Sequence, residues 1–421
     1  MSDEIIIKEY LKKVPLNHLS NSSPKIELFC REIYLKKNKK ADIFVFLQGG
    51  PGFPSPRDIS NSSSFKAILK QFRIVLLDQR GTGKSQKIGP ELCGQMNQKE
   101  AVDFFIHHRA DQIVYDLEYL RDNVFKVKKW FLLAQSYGGF ITFTYLSFFP
   151  EAIKGAILCG GLPPLFQTSV KDIYGQLTSF IAKRNLEFFQ AHPKDKLQVK
   201  KILILLKEDN YKLPDGGILS PERFLDIGSI LGSTNGINQL HYFLDDPFLN
   251  SKEDKLSFAF VKTVIDRTSF ETNPIYAVLH ESIYCDGNKM VSQWAADQWL
   301  KKKSIFNPQK MPVSFYGETI RKNMFSEYRM LKPFKNIAET IAQKSDWNNL
   351  YDLNKINNNT VPIEAMVYKT DYYVNYEFSL ETLKNTGNAK SWIHDTWQHD
   401  SLRTQGGNII PKLLKRILKR I

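Results

Sequence analysis

Short apolar runs of strand length alternate along this chain with longer segments of helical character. Because a parallel strand needs a crossover connection to reach the next strand, this alternation predicts an α/β fold with a mainly parallel sheet. The predicted strands are KIELFCREIYL from Lys25, DIFVFLQ from Asp42, RIVLLD from Arg73, WFLLAQ from Trp130, GAILCG from Gly155, PIEAMVY from Pro362 and AKSWIHD from Ala389.

A long insertion separates the first five predicted strands from the last two. Between residues 163 and 332 helical patterns replace the strand alternation, with helix starts indicated at Ser220, which precedes a proline, and at Asn288. We therefore predict a core built from residues 1–162 and 333–421, and a second, helical domain at 163–332. A chain of 421 residues is long enough for two such units.

The formal net charge of +14 raises the question of nucleic-acid binding. The basic residues are dispersed, however, and their densest clusters, at 36–40, at 301–303 and in the final KLLKRILKRI, accompany no nucleic-acid-binding motif. The final segment has apolar residues at helical spacing, which predicts an amphipathic helix docked on the core. We therefore expect no nucleic-acid partner.

The four cysteines are widely scattered and show no spacing typical of a metal site, so we expect buried free thiols. No apolar run approaches the roughly 18 residues that a membrane span needs. The amino terminus lacks the layout of a signal peptide, because acidic residues precede its short apolar run. These features predict a cytoplasmic protein with neither a metal site nor a membrane partner.

A candidate nucleophile, Ser136, stands in AQSYGG between a predicted strand and a helical segment. The pattern G-x-S-x-G places a reactive serine on a sharp strand-to-helix turn, where side chains on either side would collide. Here Ala134 replaces the first glycine, the smallest possible change. An incidental serine in a glycine-rich turn is the alternative for this stretch taken alone.

A second glycine-rich loop, QGGPGFPSPRD, follows the strand that begins at Asp42. Acyl transfer needs fixed N–H donors aimed at the oxygen that becomes negative. We assign the N–H of Gly50, with the N–H of Tyr137, as the oxyanion hole. A simple Gly/Pro turn is the alternative.

The stretch LLDQRGTGKS resembles part of a phosphate-binding loop but does not complete the pattern. G-x-x-x-x-G-K-[ST] requires glycine where Asp78 stands, so we reject nucleotide binding. We expect instead a tight turn in which Asp78 and Arg80 hold neighbouring loops.

A nucleophilic serine also needs a base and a carboxylate that orients the base. Asp371 follows the strand PIEAMVY, and His399 follows the strand AKSWIHD, which gives the chain order serine, acid, histidine. Asp352 competes for the acid and His394 for the base. His394 lies within its strand, which favours a structural role.

These motifs together resemble the prolyl aminopeptidase (proline iminopeptidase) family of α/β-hydrolases, in its longer-chain branch. The matching stretches run along nearly the whole chain and include VPLNH, FCREIYL, FLQGGPGFPSPR, LLDQRGTGKS, AQSYGGFITFTYLSFFPE, CGGLPPL, LHYFL, YAVLHESIY, LYDLNKI, VYKTDYYV and WQHDSLR.

The resemblance implies an α/β-hydrolase core with a helical cap at 163–332 and a serine peptidase that needs no metal or organic cofactor. It implies release of an amino-terminal residue, preferentially proline, from short peptides with a free amino terminus. Ser136, Asp371 and His399 would form the catalytic triad. Substrate-amine binding would fall to Glu281 and Glu318.

The chain departs from the family pattern after Glu318, where it reads TIRKNMF in place of the usual MIYPWMF. Arg321 and Lys322 therefore stand where the family has apolar groups, and Thr370 replaces a common second aspartate. Two alternatives to an aminopeptidase are a carboxylesterase or amidase without a free-amine requirement, and a non-catalytic binding protein on this fold.

Overall fold

The computed structural model describes residues 4–209, 211, 213, 216–288 and 290–421. Its sheet has eight strands, which are β1 (Ile5–Pro15), β2 (Lys25–Leu35), β3 (Ile43–Leu47), β4 (Arg73–Asp78), β5 (Trp130–Gln135), β6 (Ile153–Cys159), β7 (Ile363–Tyr368) and β8 (Ala389–His394). Their order across the sheet is β1-β2-β4-β3-β5-β6-β7-β8. The pairs β1/β2 and β2/β4 are antiparallel, and the six strands from β4 to β8 run parallel.

The sheet confirms the predicted α/β class and all seven predicted strands. The central strands are buried along almost their whole length, as expected where helices cover both faces of a parallel sheet. The edge strand β1, which pairs with β2 alone, was not predicted from the sequence. Ile5, Ile7 and Leu11 on this strand are more than half exposed, so no buried apolar run marks it.

The helices are α1 (Ser63–Leu69), α2 (Pro90–Cys93), α3 (Gln98–Ile106), α4 (Ala110–Tyr119), α5 (Tyr137–Phe148), α6 (Val170–Ala191), α7 (Asp195–Asp209), α8 (Pro221–Leu225), α9 (Gly236–Phe243), α10 (Phe258–Thr268), α11 (Pro274–Leu279), α12 (Ala295–Lys302), α13 (Met324–Glu327), α14 (Lys335–Gln343), α15 (Leu353–Asn357), α16 (Tyr376–Lys384), α17 (Ser401–Thr404) and α18 (Gly406–Ile417). Among the described residues, none of these helices combines the length and the apolar character that crossing a membrane requires.

The segment between β6 and β7 is helical, with no strand among its described residues. Ser220 caps α8 as predicted, because its Oγ accepts the N–H of Arg223 at 3.0 Å. The predicted helix start at Asn288 is wrong. The helix begins at Ala295, and Trp294 before it is left-handed, with φ +58°.

This helical segment contains a hydrophobic core of its own, which extends from Ile181 to Tyr316 and adds Tyr372 from the loop after β7. Two parts of the segment belong instead to the core of the sheet. Residues of Val170–Leu177 and Ile275–Leu279 pack with the apolar face of the sheet. The helical segment is therefore joined to the sheet through both of its flanks. The domain boundaries at 162 and 332 remain predictions.

The carboxyl-terminal helix α18 packs on the sheet as its apolar spacing predicted. Leu413 and Ile417 are fully buried, and the side chain of Ile417 lies so near β6 that a Cβ on Gly155 would be 2.8 Å from it. Leu418 and Ile421, beyond the helix, are exposed at 40% and 55%. All four cysteines are buried and free.

Candidate active site

Ser136 occupies the turn between β5 and α5 and has φ +53° and ψ −126°. A positive φ is rare for a residue with a side chain and costs of the order of 1–3 kcal/mol. Such strain persists only where the surroundings impose it, and here the N–H of Ser136 donates to the carbonyl oxygen of Cys159 at 3.2 Å. The turn therefore has the geometry of a nucleophile elbow.

Two close backbone approaches explain the glycines around this turn. A Cβ on Gly139 would lie 1.6 Å from the carbonyl oxygen of Gly161, so α5 can pack against the loop after β6 only with glycine there. A Cβ on Gly49 would lie 2.8 Å from the Cβ of Ser136. Gly49 thus lets the QGGPG loop come into contact with the serine.

The QGGPG loop is held by the turn after β4. Asp78, fully buried, accepts the N–H of Ser55 at 3.2 Å and the N–H of Lys84 at 2.8 Å, and forms an ion pair with Arg57. Arg80 pairs with Asp116 of α4 at 2.6 Å and donates hydrogen bonds to the carbonyl oxygens of Leu16 and His107, which lie in two neighbouring loops. The loop-holding roles predicted for Asp78 and Arg80 are confirmed.

The two residues assigned to the oxyanion hole lie beside Ser136. Gly50 lines the same cavity as the serine and has φ +125°, which favours glycine. Tyr137 is the first residue of α5, where backbone N–H groups have no acceptor within the helix. Its side chain is buried, so the backbone is the part of Tyr137 that can serve the site.

Asp371 and His399 meet on the loops that follow β7 and β8. His399 Nδ1 lies 2.9 Å from Asp371 Oδ2 and 3.1 Å from Oδ1. Oδ1 also accepts the N–H groups of Tyr373 and Val374, at 2.9 and 3.1 Å. These bonds fix the position of the Asp371 carboxyl group against one ring nitrogen, which leaves the other nitrogen for a partner in the cavity that Ser136 and His399 both line.

The protonation of His399 follows from its neighbours. Burial acts to lower the pKa of His399, but the charge and hydrogen bond of Asp371 outweigh it, and Glu318 adds to them. The pKa of His399 is therefore raised above the usual value for histidine. The imidazole is thus suited to accept a proton.

The competing candidates have structural partners. His394 Nδ1 faces the N–H groups of Thr396 and Trp397 at 3.3 and 3.2 Å, and its ring stacks on Trp397 at 3.8 Å. Asp352 caps α15 by accepting the N–H of Lys355 at 3.0 Å. Neither lines the cavity beside Ser136.

The cavity has a volume of about 790 Å³ and lies between the sheet side and the inserted helices. An aromatic wall is formed by Phe53, Phe270 and Tyr276. The ring centroid of Tyr276 lies 5.4 Å from that of Phe53, edge to face, and 4.9 Å from that of Phe270, on which it stacks. None of these three residues was predicted from the sequence to belong to the site. The positions of Phe53 after QGGPG and of Tyr276 in YAVLHESIY were the available signals.

The two predicted amine-binding glutamates differ in position. Glu318 lines the cavity and accepts a hydrogen bond from the hydroxyl of Tyr276 at 2.5 Å. Glu281 does not line it. The carboxylate of Glu281 accepts the N–H groups of Ala295 and Ala296 at 3.0 and 2.9 Å, at the start of α12.

Burial raises the pKa of Glu281 to about 8, although the hydrogen bonds from Ala296 and Ala295 act in the opposite direction. Glu281 is only 6% exposed. A proton is therefore held on this buried carboxyl group over much of the neutral range.

The two basic residues that stand where the family has apolar residues are both in ion pairs, so neither adds an unpaired charge to the cavity. Arg321 is buried and pairs with Asp226, at 2.6 Å between Nη2 and Oδ2. Lys322 pairs with Glu339 at 3.0 Å. Asp226, which does line the cavity, is thus neutralised by Arg321.

Comparison with known proteins agrees with this geometry. A family model described as the alpha/beta hydrolase fold matches residues 42–205. A proline iminopeptidase of Aeromonas sobria is 36% identical over 417 residues, which cover 98% of this chain and 97% of that protein. The chain belongs to the proline iminopeptidase family. The resemblance indicated by the sequence motifs is therefore confirmed.

Further relatives extend the comparison. A proline iminopeptidase of Aspergillus aculeatus is 31% identical over 416 residues and covers 96% of this chain and 92% of its own length. The crystal structure of esterase E22 aligns with a TM-score of 0.50 at 10% identity, covering 99% of this chain and all of that one. At such low identity this likeness concerns the fold alone. The likeness to the two proline iminopeptidases also includes the inserted helices.

Proposed function

We propose that this protein is a serine aminopeptidase that releases an amino-terminal residue, preferentially proline, from peptides. The observation that carries the proposal is the strained Ser136 in one cavity with His399, which is hydrogen-bonded to Asp371, in a chain of the proline iminopeptidase family. A serine at positive φ beside a hydrogen-bonded histidine and carboxylate is the arrangement that nucleophilic acyl transfer needs.

In the proposed reaction His399 takes the proton of the Ser136 hydroxyl, and the oxygen attacks the carbonyl carbon of the first peptide bond. The N–H groups of Gly50 and Tyr137 stabilise the oxyanion. His399 then gives the proton to the leaving amine, which departs and leaves an acyl-enzyme. A water molecule, deprotonated by His399, hydrolyses the ester and regenerates Ser136.

Recognition of the free amino terminus falls to Glu318. An unpaired ammonium group is costly to remove from water, so a half-buried carboxylate in the cavity is a suitable partner. Its charge already raises the pKa of His399, which places it within electrostatic reach of the reacting groups. Glu281 does not line the cavity, and its carboxyl group instead accepts the N–H groups that begin α12.

The aromatic wall suits a pyrrolidine ring. Phe53, Phe270 and Tyr276 give an apolar surface beside Glu318, and the ring of proline is apolar next to a charged nitrogen. Since Arg321 is neutralised by Asp226, the substitution of the family's apolar segment leaves this wall in place. A preference for proline over larger or acidic residues follows from this arrangement.

The test compares proline and alanine naphthylamides, with free and acetylated amines, on the wild type and on Ser136→Ala. We expect the proline substrate to be preferred, acetylation to abolish most turnover, and Ser136→Ala to lower kcat by at least about 10⁴-fold. Equal rates on free and acetylated substrates would identify an esterase or amidase instead. Failure of Ser136 to react with a fluorophosphonate would identify a binding protein.

A further inference from the structure

The cavity beside Ser136 has one wall from each side of the molecule. The sheet side contributes the QGGPG loop, residues 61–65 and the segment from His399 to Arg403. The inserted helices contribute residues of α10, including Arg267, and the segment around Glu318. A substrate that is bound by Ser136 therefore has protein on both sides.

An arginine lies on each of these walls. Arg267 belongs to the last turn of α10, and Arg403 belongs to α17, four residues after His399. Both side chains line the cavity and both are exposed residues. Neither forms an ion pair with a residue in the described part of the chain, whereas the buried Arg321 nearby is paired with Asp226.

Of the residues that the structure describes, three carboxylates line the cavity, and they differ in their partners. Asp226 is neutralised by Arg321, and Glu318 lies close enough to His399 to raise the pKa of that histidine. Asp58 is exposed and accepts the N–H of Ser60 at 2.7 Å. Beyond Glu318, the lining therefore holds two unpaired guanidinium groups against the one carboxylate of Asp58.

We propose that Arg267 and Arg403 bind the free carboxyl terminus of a short peptide while Glu318 binds its amino terminus. A short peptide carries an ammonium group at one end and a carboxylate at the other, and the cavity lining offers a side chain of opposite charge for each end. Guanidinium groups are suited to this role because their planar donors match the geometry of a carboxylate. The inference rests on the proposed aminopeptidase function and adds a preference for short, unblocked peptides.

The measured quantity is the ratio of kcat/KM for Pro-Ala to kcat/KM for Pro-Ala-NH₂, determined within each variant. Both substrates keep the free amine and the scissile bond, so a change of the ratio between variants reports recognition of the carboxylate. Each exposed ion pair between an arginine and the substrate carboxylate should raise kcat/KM by up to about five-fold, so for two such pairs we expect a wild-type ratio of about ten. Repeating the pair with tetrapeptides gives the length at which the preference disappears.

We expect Arg267→Met and Arg403→Met each to lower the ratio about three-fold, and the double variant to bring it close to one. Arg403→Lys should restore part of it, and Asp58→Asn should raise it by removing the opposing charge. Lys262→Met is the matched control, since Lys262 is also on α10 but pairs with Asp266 and does not line the cavity. High salt should reduce the wild-type ratio.

A ratio near one in the wild type, or one that the two arginine variants leave unchanged, overturns the carboxylate site while the aminopeptidase function stands. The proposed function fails separately, and takes this inference with it, if the wild type cleaves neither substrate or if Ser136→Ala cleaves both at the wild-type rate. A ratio that falls in Lys262→Met as far as in Arg267→Met also overturns the proposal, because the effect would then be one of net charge.

Discussion

The guanidinium group of Arg321 and the carboxylate of Asp226 face each other with two hydrogen bonds, at 3.1 Å between Nε and Oδ1 and 2.6 Å between Nη2 and Oδ2. Tyr328 donates a third bond to Asp226, at 2.8 Å. Both charged side chains are almost fully buried. The pair thus places a basic residue next to the cavity of this proline iminopeptidase relative without giving the cavity a net charge.

Removing one partner of this pair should be costly. Asp226→Ala leaves the Arg321 charge buried with only the more distant Glu327, at 3.4 Å, and we expect a loss of about 3–5 kcal/mol in the free energy of unfolding. Urea denaturation measures this loss. Lys322→Met is the control and should cost less than about 1 kcal/mol, because its pair with Glu339 is exposed. Equal losses in the two variants would contradict the expectation.

The pH dependence of Ser136 reactivity should depend on Glu318. His399 acts as a base only when neutral, so reactivity rises as pH increases through the pKa of His399. Glu318 contributes to raising that pKa, so Glu318→Gln should move the midpoint to lower pH. The rate of labelling by a fluorophosphonate measures it, since this probe has no amine for Glu318 to bind. The exposed Glu377→Gln should leave the midpoint in place, and a midpoint that stays fixed in Glu318→Gln would refute the coupling.

The packing of α5 on the loop after β6 should not tolerate a methyl group at Gly139. Because a Cβ there would overlap the carbonyl oxygen of Gly161, we expect Gly139→Ala to lose about 3 kcal/mol or more, or to fail to fold. Gly407→Ala, at an exposed position of α18 where the nearest atom would be 3.2 Å from the new Cβ, is the control. Thermal unfolding of both variants would show whether this close approach exists.

The stability contributed by Glu281 should fall as pH rises. Its pKa is raised from 4.5 to about 8 in the folded chain, so between these values the native state holds a proton that the unfolded state has lost. This contribution is complete below about pH 4.5 and is lost as pH rises towards 8. Glu281→Gln should therefore lose less stability than the wild type between pH 5 and 8. Denaturation of both proteins at several pH values measures this. An equal change with pH in the free energy of unfolding of the two proteins would contradict the expectation.

Much of the fold followed from local patterns in the sequence. The buried strands were visible because parallel strands covered on both faces are apolar throughout, and the elbow was visible because Gly138 and Gly139 mark a close helix approach. The edge strand β1 was missed because one neighbour and exposed isoleucines produce no buried run. The helix start predicted at Asn288 was wrong because the preference of asparagine for capping a helix does not decide where α12 begins.

The sequence by itself determined the α/β class, the chain order of Ser136, Asp371 and His399, and the family, since these depend on periodicity and on motifs that are local in the chain. Only the tertiary structure decided that Glu318 faces the cavity while the Glu281 carboxylate binds backbone at the start of α12. It also decided that Arg321 is neutralised by Asp226, which lies 95 residues away in sequence. The physical reason is that burial and charge pairing depend on neighbours brought together by folding, and a sequence pattern does not show which distant residue becomes the neighbour.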